Sequence, residues 1–196
     1  MLFRSVFRSS ALDTWDNDMD RLTLCVSPGG INTMKNLLGI KTEIDLRQGH
    51  SKEENFPDGK TTSILGSGVS YYQCPMIAEN FFANNSAAVK DVFAIFANAN
   101  NYPITYHCAV GADRTGFVTY LLNGLLGVSK EDLTRDYLLT NFSYQSKYRA
   151  PITDSYVATL DNYTGSTLQQ KIYNYLHNEI GVPTSQLDFI INYLTE

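Results

Sequence analysis

Apolar positions along the chain alternate between strand-like and helical periods. Ile31, Met34, Leu37 and Leu38 recur at helical spacing and Gly39 follows them, which predicts a helix of about two turns ending there. Residues 41–46 (KTEIDL) and 69–74 (VSYYQC) read as short strands, with a loop rich in Gly, Pro, Asp and Ser between them. Ser86 is placed to cap a helix whose Val89, Val92, Phe93 and Phe96 line one face. A third strand, 102–107 (YPITYH), runs straight into the glycine-bearing loop CAVGADRTG and an apolar helix, 117–126, closed by Gly127. Ser129 with Asp132, Ser166 with Gln169, and Thr184 or Ser185 open three further helices. Helices interleaved with short strands predict an α/β domain: a small, mainly parallel sheet flanked by helices, with the C-terminal helices packed beside it. Segment 141–165 is long, Tyr-rich and poorly periodic, either a lid or a helix that the pattern hides.

Composition narrows the classes. A chain of 196 residues is expected to fold as one domain spanning 1–196. With 43% hydrophobic and 18% charged residues, wholesale disorder is excluded. The longest nearly apolar run, 117–128, is interrupted by Thr119 and Asn123 and is too short to span a bilayer, so no integral membrane association is expected. A net charge of -5 disfavours a general nucleic-acid surface but allows a local anion site. Arginines break every apolar stretch of the N-terminal MLFRSVFRSSALD, so a signal-peptide core is not expected and the cytoplasm is the expected location. Cys25, Cys74 and Cys108 are odd in number and far apart, which argues against a disulfide framework and a zinc cage and leaves at least one free thiol.

The chemistry concentrates in His107-Cys108-Ala109-Val110-Gly111-Ala112-Asp113-Arg114-Thr115-Gly116. Cys108 and Arg114 stand six apart, between a strand end and a helix start. In that setting the N–H groups of residues 109–114 can converge on one tetrahedral anion, and the helix dipole adds to the attraction. Gly111 permits a backbone that a side chain would obstruct, and Arg114 offers a planar fork to two phosphate oxygens. The same positive surroundings favour the Cys108 thiolate, which makes it the expected nucleophile, forming a phosphocysteine that water hydrolyses. His107 is expected to hold the loop by a side-chain hydrogen bond, and the Thr115 hydroxyl to stabilise the departing thiolate. No metal or other cofactor is needed.

This loop resembles that of the cysteine-dependent protein tyrosine phosphatase superfamily, most closely the bacterial atypical tyrosine/serine phosphatases related to dual-specificity and phosphoinositide phosphatases. Three more segments carry the likeness: Phe7-Arg8-Ser9-Ser10-Ala11-Leu12, the run from Leu38 to Arg47 (LGIKTEIDLR), and Gly127-Val128 with Tyr137-Leu138. The resemblance implies metal-independent phosphomonoester hydrolysis on a phosphotyrosine-phosphatase-like fold, with a phosphorylated protein, a phospholipid or an inositol phosphate as substrate. In lipid-active relatives the position of Ala112 is commonly lysine, so alanine here points towards monophosphorylated substrates such as phosphotyrosine peptides. Lys147 and Arg149 could restore that positive charge.

A leaving alkoxide or phenoxide needs a proton, and three acids could supply it. Asp113 precedes Arg114 in an Asp-Arg-Thr order similar to that of myotubularins, and is the favoured donor. Asp45 lies at the end of the IDLR strand, where it could instead pair with Arg114 or cap the loop. Glu79 follows Cys74-Pro75-Met76, where conventional tyrosine phosphatases carry a mobile acid loop that here lacks aspartate. Asp58 reads as a turn residue, and His50 and His177 as surface histidines. The many tyrosines are expected mainly to pack, and a redox pairing of Cys74 with Cys108 is a minor alternative.

Overall fold

A computed structural model describes residues 5–13, 26–49, 59–142 and 153–196. Cys25, His50, Asp58, Lys147 and Arg149 lie outside the described residues. The chain divides into two compact units, Met1–Thr115 and Gly116–Glu196.

The first unit holds four strands, β1 (Val6–Ser9), β2 (Thr42–Asp45), β3 (Ser70–Gln73) and β4 (Ile104–His107), in the order β1-β4-β2-β3, with every neighbouring pair parallel. β2 and β3 match the predicted strands to within a residue or two, and β4 begins at Ile104 rather than at Tyr102. β1 was not legible as a strand. Its four residues contain Arg8 and Ser9 and lack a clear alternation, and pairing with β4 supplies what propensity does not.

Register aligns Ser9, His107, Asp45 and Gln73 at one level, and Phe7, Thr105, Glu43 and Tyr71 two residues earlier. Strand alternation therefore sends both rows to one face of the sheet and Arg8, Tyr106, Ile44 and Tyr72 to the other. Helix α1 (Pro28–Asn32) continues as a π turn through Leu37 and brings Ile31 and Met34 onto Phe7, Leu12, Ile40 and Leu65. It begins earlier than its apolar spacing suggested, because Ser27 accepts the Gly30 N–H and Pro28 occupies the first turn. Helix α2 (Phe81–Asn84) is a single turn. Helix α3 (Ser86–Phe96) covers the opposite face, with Phe96 edge-on to Tyr106 at 5.9 Å. Ser86 is its first residue rather than its cap. Asn85 holds the cap position, and its side chain instead bonds Ile77 N–H and C=O.

Helix α4 (Asp113–Leu125) leads into the second unit, followed by α5 (Lys130–Leu138), α6 (Thr153–Leu160), α7 (Leu168–Asn174) and α8 (Thr184–Thr195). Ser129 caps α5 as expected, accepting from Asp132 N–H. The cap of α7 is Thr167, accepting from Gln170 N–H, one residue later than the predicted Ser166 and Gln169. Helix α6 is the helix hidden in 141–165. Its Tyr156 packs edge-on against Phe117 and Tyr120, centroids 5.4 and 5.1 Å away. Among the described residues no helix is long and apolar enough to cross a membrane.

Candidate active site

Parallel strands place their C-terminal ends, and the loops that follow, at one edge of the sheet. Cys108 is the residue after β4, next to the centre of that edge, and is buried. The chain then turns through Ala109, Val110, Gly111 and Ala112 before α4 begins at Asp113, with Arg114 and Thr115 in its first turn. Gly111 donates its N–H to Cys108 Sγ at 3.3 Å, so the loop folds back over the sulfur. Its φ is +75°, and a Cβ there would stand 2.6 Å from Ser9 O and 2.9 Å from Ser10 N. No other residue type fits this turn against β1 without a shift. Ala11 N–H donates to Ala109 O at 3.0 Å and ties the same two segments together.

Ala109, Ala112, Arg114 and Thr115 are buried, while Val110, Gly111 and Asp113 are partly exposed. The strand–loop–helix element thus contains every phosphate-binding residue read from the sequence. Glu79 is exposed in the loop beyond β3.

Behind the loop lies an ionic layer that sequence reasoning did not find. Asp45 accepts from Arg47 Nε at 2.9 Å and Nη2 at 2.6 Å, and from Tyr71 Oη at 3.1 Å. It pairs with Arg47, not with Arg114. Arg47 also reaches Asp13 Oδ1 at 2.9 Å. Lys60 Nζ bridges Asp13 (2.6 Å), Glu43 (2.8 Å) and Asp45 (3.4 Å), and sits 4.7 Å from the centroid of the Tyr71 ring. His107 directs Nε2 to Glu43 Oε1 at 3.1 Å and Nδ1 to the Cys108 carbonyl at 3.3 Å, which realises the expected loop-holding hydrogen bond. Glu43 and Asp45 stand two residues apart in a strand all four of whose residues are buried, which is where charged side chains need partners.

Burial works against ionised Asp45, but hydrogen bonds from Arg47 and the charges of His107, Arg47 and Lys60 outweigh it and hold the carboxyl well below the ordinary carboxylate range. Glu43 is lowered in the same way, burial being overcome by His107 and Lys60. Glu43, Asp45 and His107 bring ligand atoms within 4.8 Å of one another, as a metal site would. Here the Lys60 ammonium and the Arg47 guanidinium already supply the positive charge.

Cys74 is buried after β3, and burial, followed by Asp91 and Asp45, pushes its thiol up to about 12. β2 separates it from the strand that carries Cys108, and two strand spacings of about 4.8 Å exceed the reach of a disulfide. The His177 side chain is exposed and pairs with Val182 O at 3.0 Å, a surface residue as expected.

A profile of the tyrosine phosphatase family matches residues 5–196. A tyrosine-protein phosphatase of Nostoc commune is 26% identical over 121 residues, 53% of this chain and 41% of that protein, so less than half of that relative's length is matched. The core catalytic domain of the PP-IP phosphatase Siw14 from S. cerevisiae, solved with citrate, superposes with a TM-score of 0.57 at 21% identity, covering 96% of this chain and 90% of that one. A second structure of the Siw14 catalytic core gives 0.55 at 20% identity, covering 96% and 89%. The four-stranded parallel sheet is the fold shared with these cores.

Proposed function

Because the chain belongs to the tyrosine phosphatase family, we propose that it hydrolyses phosphotyrosine in proteins, and phosphoserine or phosphothreonine more slowly, through a phosphocysteine on Cys108. The observation that carries this reading is the loop itself: a buried cysteine at a strand end, a backbone N–H aimed at its sulfur, and an arginine in the first turn of the next helix.

In this reading the N–H groups of the loop and the Arg114 guanidinium hold the phosphoryl oxygens. The Cys108 thiolate attacks phosphorus in line, the S–P bond forms and the P–O ester bond breaks. Asp113 gives its proton to the departing oxygen. Water then attacks the phosphocysteine, Asp113 takes back a proton, and inorganic phosphate leaves with the thiolate restored, Thr115 assisting that departure. The assignment of Asp113 is supported by the state of the alternatives. Asp45 is buried and ionised against Arg47, with no proton to give, and Glu79 is exposed in the loop beyond β3.

The protein substrate is favoured by charge. Among the described residues, beyond the Arg114 proposed to hold the phosphoryl group, the loops 10–13, 46–49, 74–80 and 108–112 at this edge of the sheet carry one cation, Arg47, and it is paired with Asp45 and Asp13. A polyphosphorylated inositol needs several. The Siw14 likeness supports the alternative, an inositol pyrophosphate, on fold alone.

The test is hydrolysis of a phosphotyrosine peptide, p-nitrophenyl phosphate and an inositol pyrophosphate at equal concentration by the wild type and Cys108→Ser. We expect the peptide to be turned over fastest and Cys108→Ser to be inactive on all three. Activity that survives Cys108→Ser overturns the mechanism, and a faster rate on the inositol pyrophosphate overturns the substrate.

A further inference from the structure

The ionic layer has a direction. It begins at Lys60 and Ser63, passes through Glu43 and His107, and ends on the backbone of the nucleophile. Lys60 Nζ donates to Glu43 Oε1 at 2.8 Å, and Ser63 Oγ donates to Glu43 Oε2. Oε1 also takes His107 Nε2 at 3.1 Å, and the other ring nitrogen meets the Cys108 carbonyl at 3.3 Å and Asp45 Oδ1 at 3.8 Å. A carboxylate and a carbonyl only accept, so the ring stands between two acceptors, one at each nitrogen. Among the described residues the layer sets the carboxylates of Asp13, Glu43 and Asp45 against Arg47 and Lys60, with the His107 ring between Glu43 and the Cys108 carbonyl. Every one of these side chains is buried or nearly so, which makes each charge dependent on the others.

We propose that Glu43 is a positioning residue for the nucleophile: held by Lys60 and Ser63, it fixes the His107 ring against the Cys108 carbonyl at the start of the phosphate loop. It acts through His107 and touches no substrate. The His107 ring is tied to the carbonyl of Cys108, which leads into Ala109, so a ring that turns releases the backbone whose next residues form the anion cradle. The groups facing the ring are Glu43, Asp45 and the Cys108 carbonyl, with Lys60, Arg47, Asp13 and the Tyr71 hydroxyl completing the layer.

The proposal rests on the phosphatase reading of the loop, and its test includes a measurement that needs no turnover. Glu43→Gln keeps the shape and an oxygen for His107 while removing the charge. We expect kcat on p-nitrophenyl phosphate to fall about tenfold, the weight of one charge-assisted hydrogen bond, with KM nearly unchanged. Iodoacetate alkylation of Cys108, followed against pH, should shift to higher pH in the same variant. A folded Glu43→Gln protein with wild-type kcat, or with reduced kcat but a wild-type alkylation profile, overturns the proposal. If Glu43→Gln does not fold, Ser63→Ala, which strips one hydrogen bond from Glu43, decides on the same two readouts with a smaller drop of about threefold. Should the wild type prove not to hydrolyse phosphate esters, the alkylation profiles still answer for Glu43 alone.

Discussion

Arg47 holds Asp45 through both carboxylate oxygens, Nε to Oδ1 at 2.9 Å and Nη2 to Oδ2 at 2.6 Å, with neither side chain exposed to solvent. A carboxylate fixed in this way is structural and anionic. That fits the proposed role of Asp113, which begins α4 and is partly exposed, as donor of the leaving group's proton.

Asp113→Asn and Asp45→Asn should therefore fail differently. In Asp113→Asn, turnover of substrates with poor leaving groups drops by about a hundredfold or more, while aryl phosphates with good leaving groups lose far less, because only the former need protonation. In Asp45→Asn any loss is the same for both kinds of substrate and is accompanied by a lower Tm. A leaving-group dependence in Asp45→Asn, absent from Asp113→Asn, would reverse the assignment.

Removing the cation instead of the anion isolates the structural role. Arg47→Met leaves Asp45 and Asp13 short of a counter-charge in a buried setting, a change that costs about 3–5 kcal/mol. For a chain of this length that lowers Tm on the order of 10 °C. Thermal unfolding by circular dichroism reads this directly, and a shift of under 2 °C would mean that the layer contributes little.

The acid limb of the stability profile follows from the same groups. Asp45 and Glu43 are depressed in the fold below their ordinary values of 3.8 and 4.5. Their contribution is therefore complete above those values and is lost as pH falls towards the folded-state values. Lys60 is raised above 10.5, so its contribution persists below that value and fades only as pH rises through the raised one. Tm should stay level from about pH 5 to 9 and fall steeply below pH 4, and Asp45→Asn should soften that fall. A wild-type Tm unchanged down to pH 3 would contradict the ion pairing.

Gly111 was legible from sequence as a position that a side chain would obstruct, and the structure supplies the obstacle, the backbone of Ser9 and Ser10. Local pattern revealed three strands, most helices and the strand–loop–helix element around Cys108, because each is encoded by residues adjacent in the chain. The ionic layer was not legible, since Asp13, Glu43, Asp45, Arg47, Lys60 and His107 meet only after β2 and β4 pair in register and residue 60 folds over them. In a strand read alone, Glu43 and Asp45 look like a solvated face, and burial reverses their meaning.

Gly111→Ala tests the close approach. The added methyl must displace either the phosphate loop or the end of β1, and φ at +75° adds strain of about 1–2 kcal/mol. Since the same residue aims its N–H at Cys108 Sγ, the displacement reaches the cradle. We expect kcat/KM on p-nitrophenyl phosphate to fall at least tenfold and orthovanadate to inhibit less strongly in the same proportion. Full activity in Gly111→Ala would show that the contact with Ser9 is not maintained in solution.

A substitution at Ala112 tests the proposed preference for single phosphates. Its methyl group is almost fully buried in the loop, so a lysine there has to pass its stem out between neighbours, an overpacking cost of about 1–3 kcal/mol. Absolute rates of Ala112→Lys will therefore mix lost folded protein with altered preference. The ratio of two substrates measured on one preparation cancels that loss, because both rates scale with the folded fraction. If the shortage of positive charge around Cys108 sets the preference for single phosphates, the ammonium should raise the rate on a polyphosphorylated inositol relative to a phosphotyrosine peptide by about tenfold, and the gain should shrink at high salt. An unchanged ratio at low salt would place the origin of specificity outside the phosphate loop.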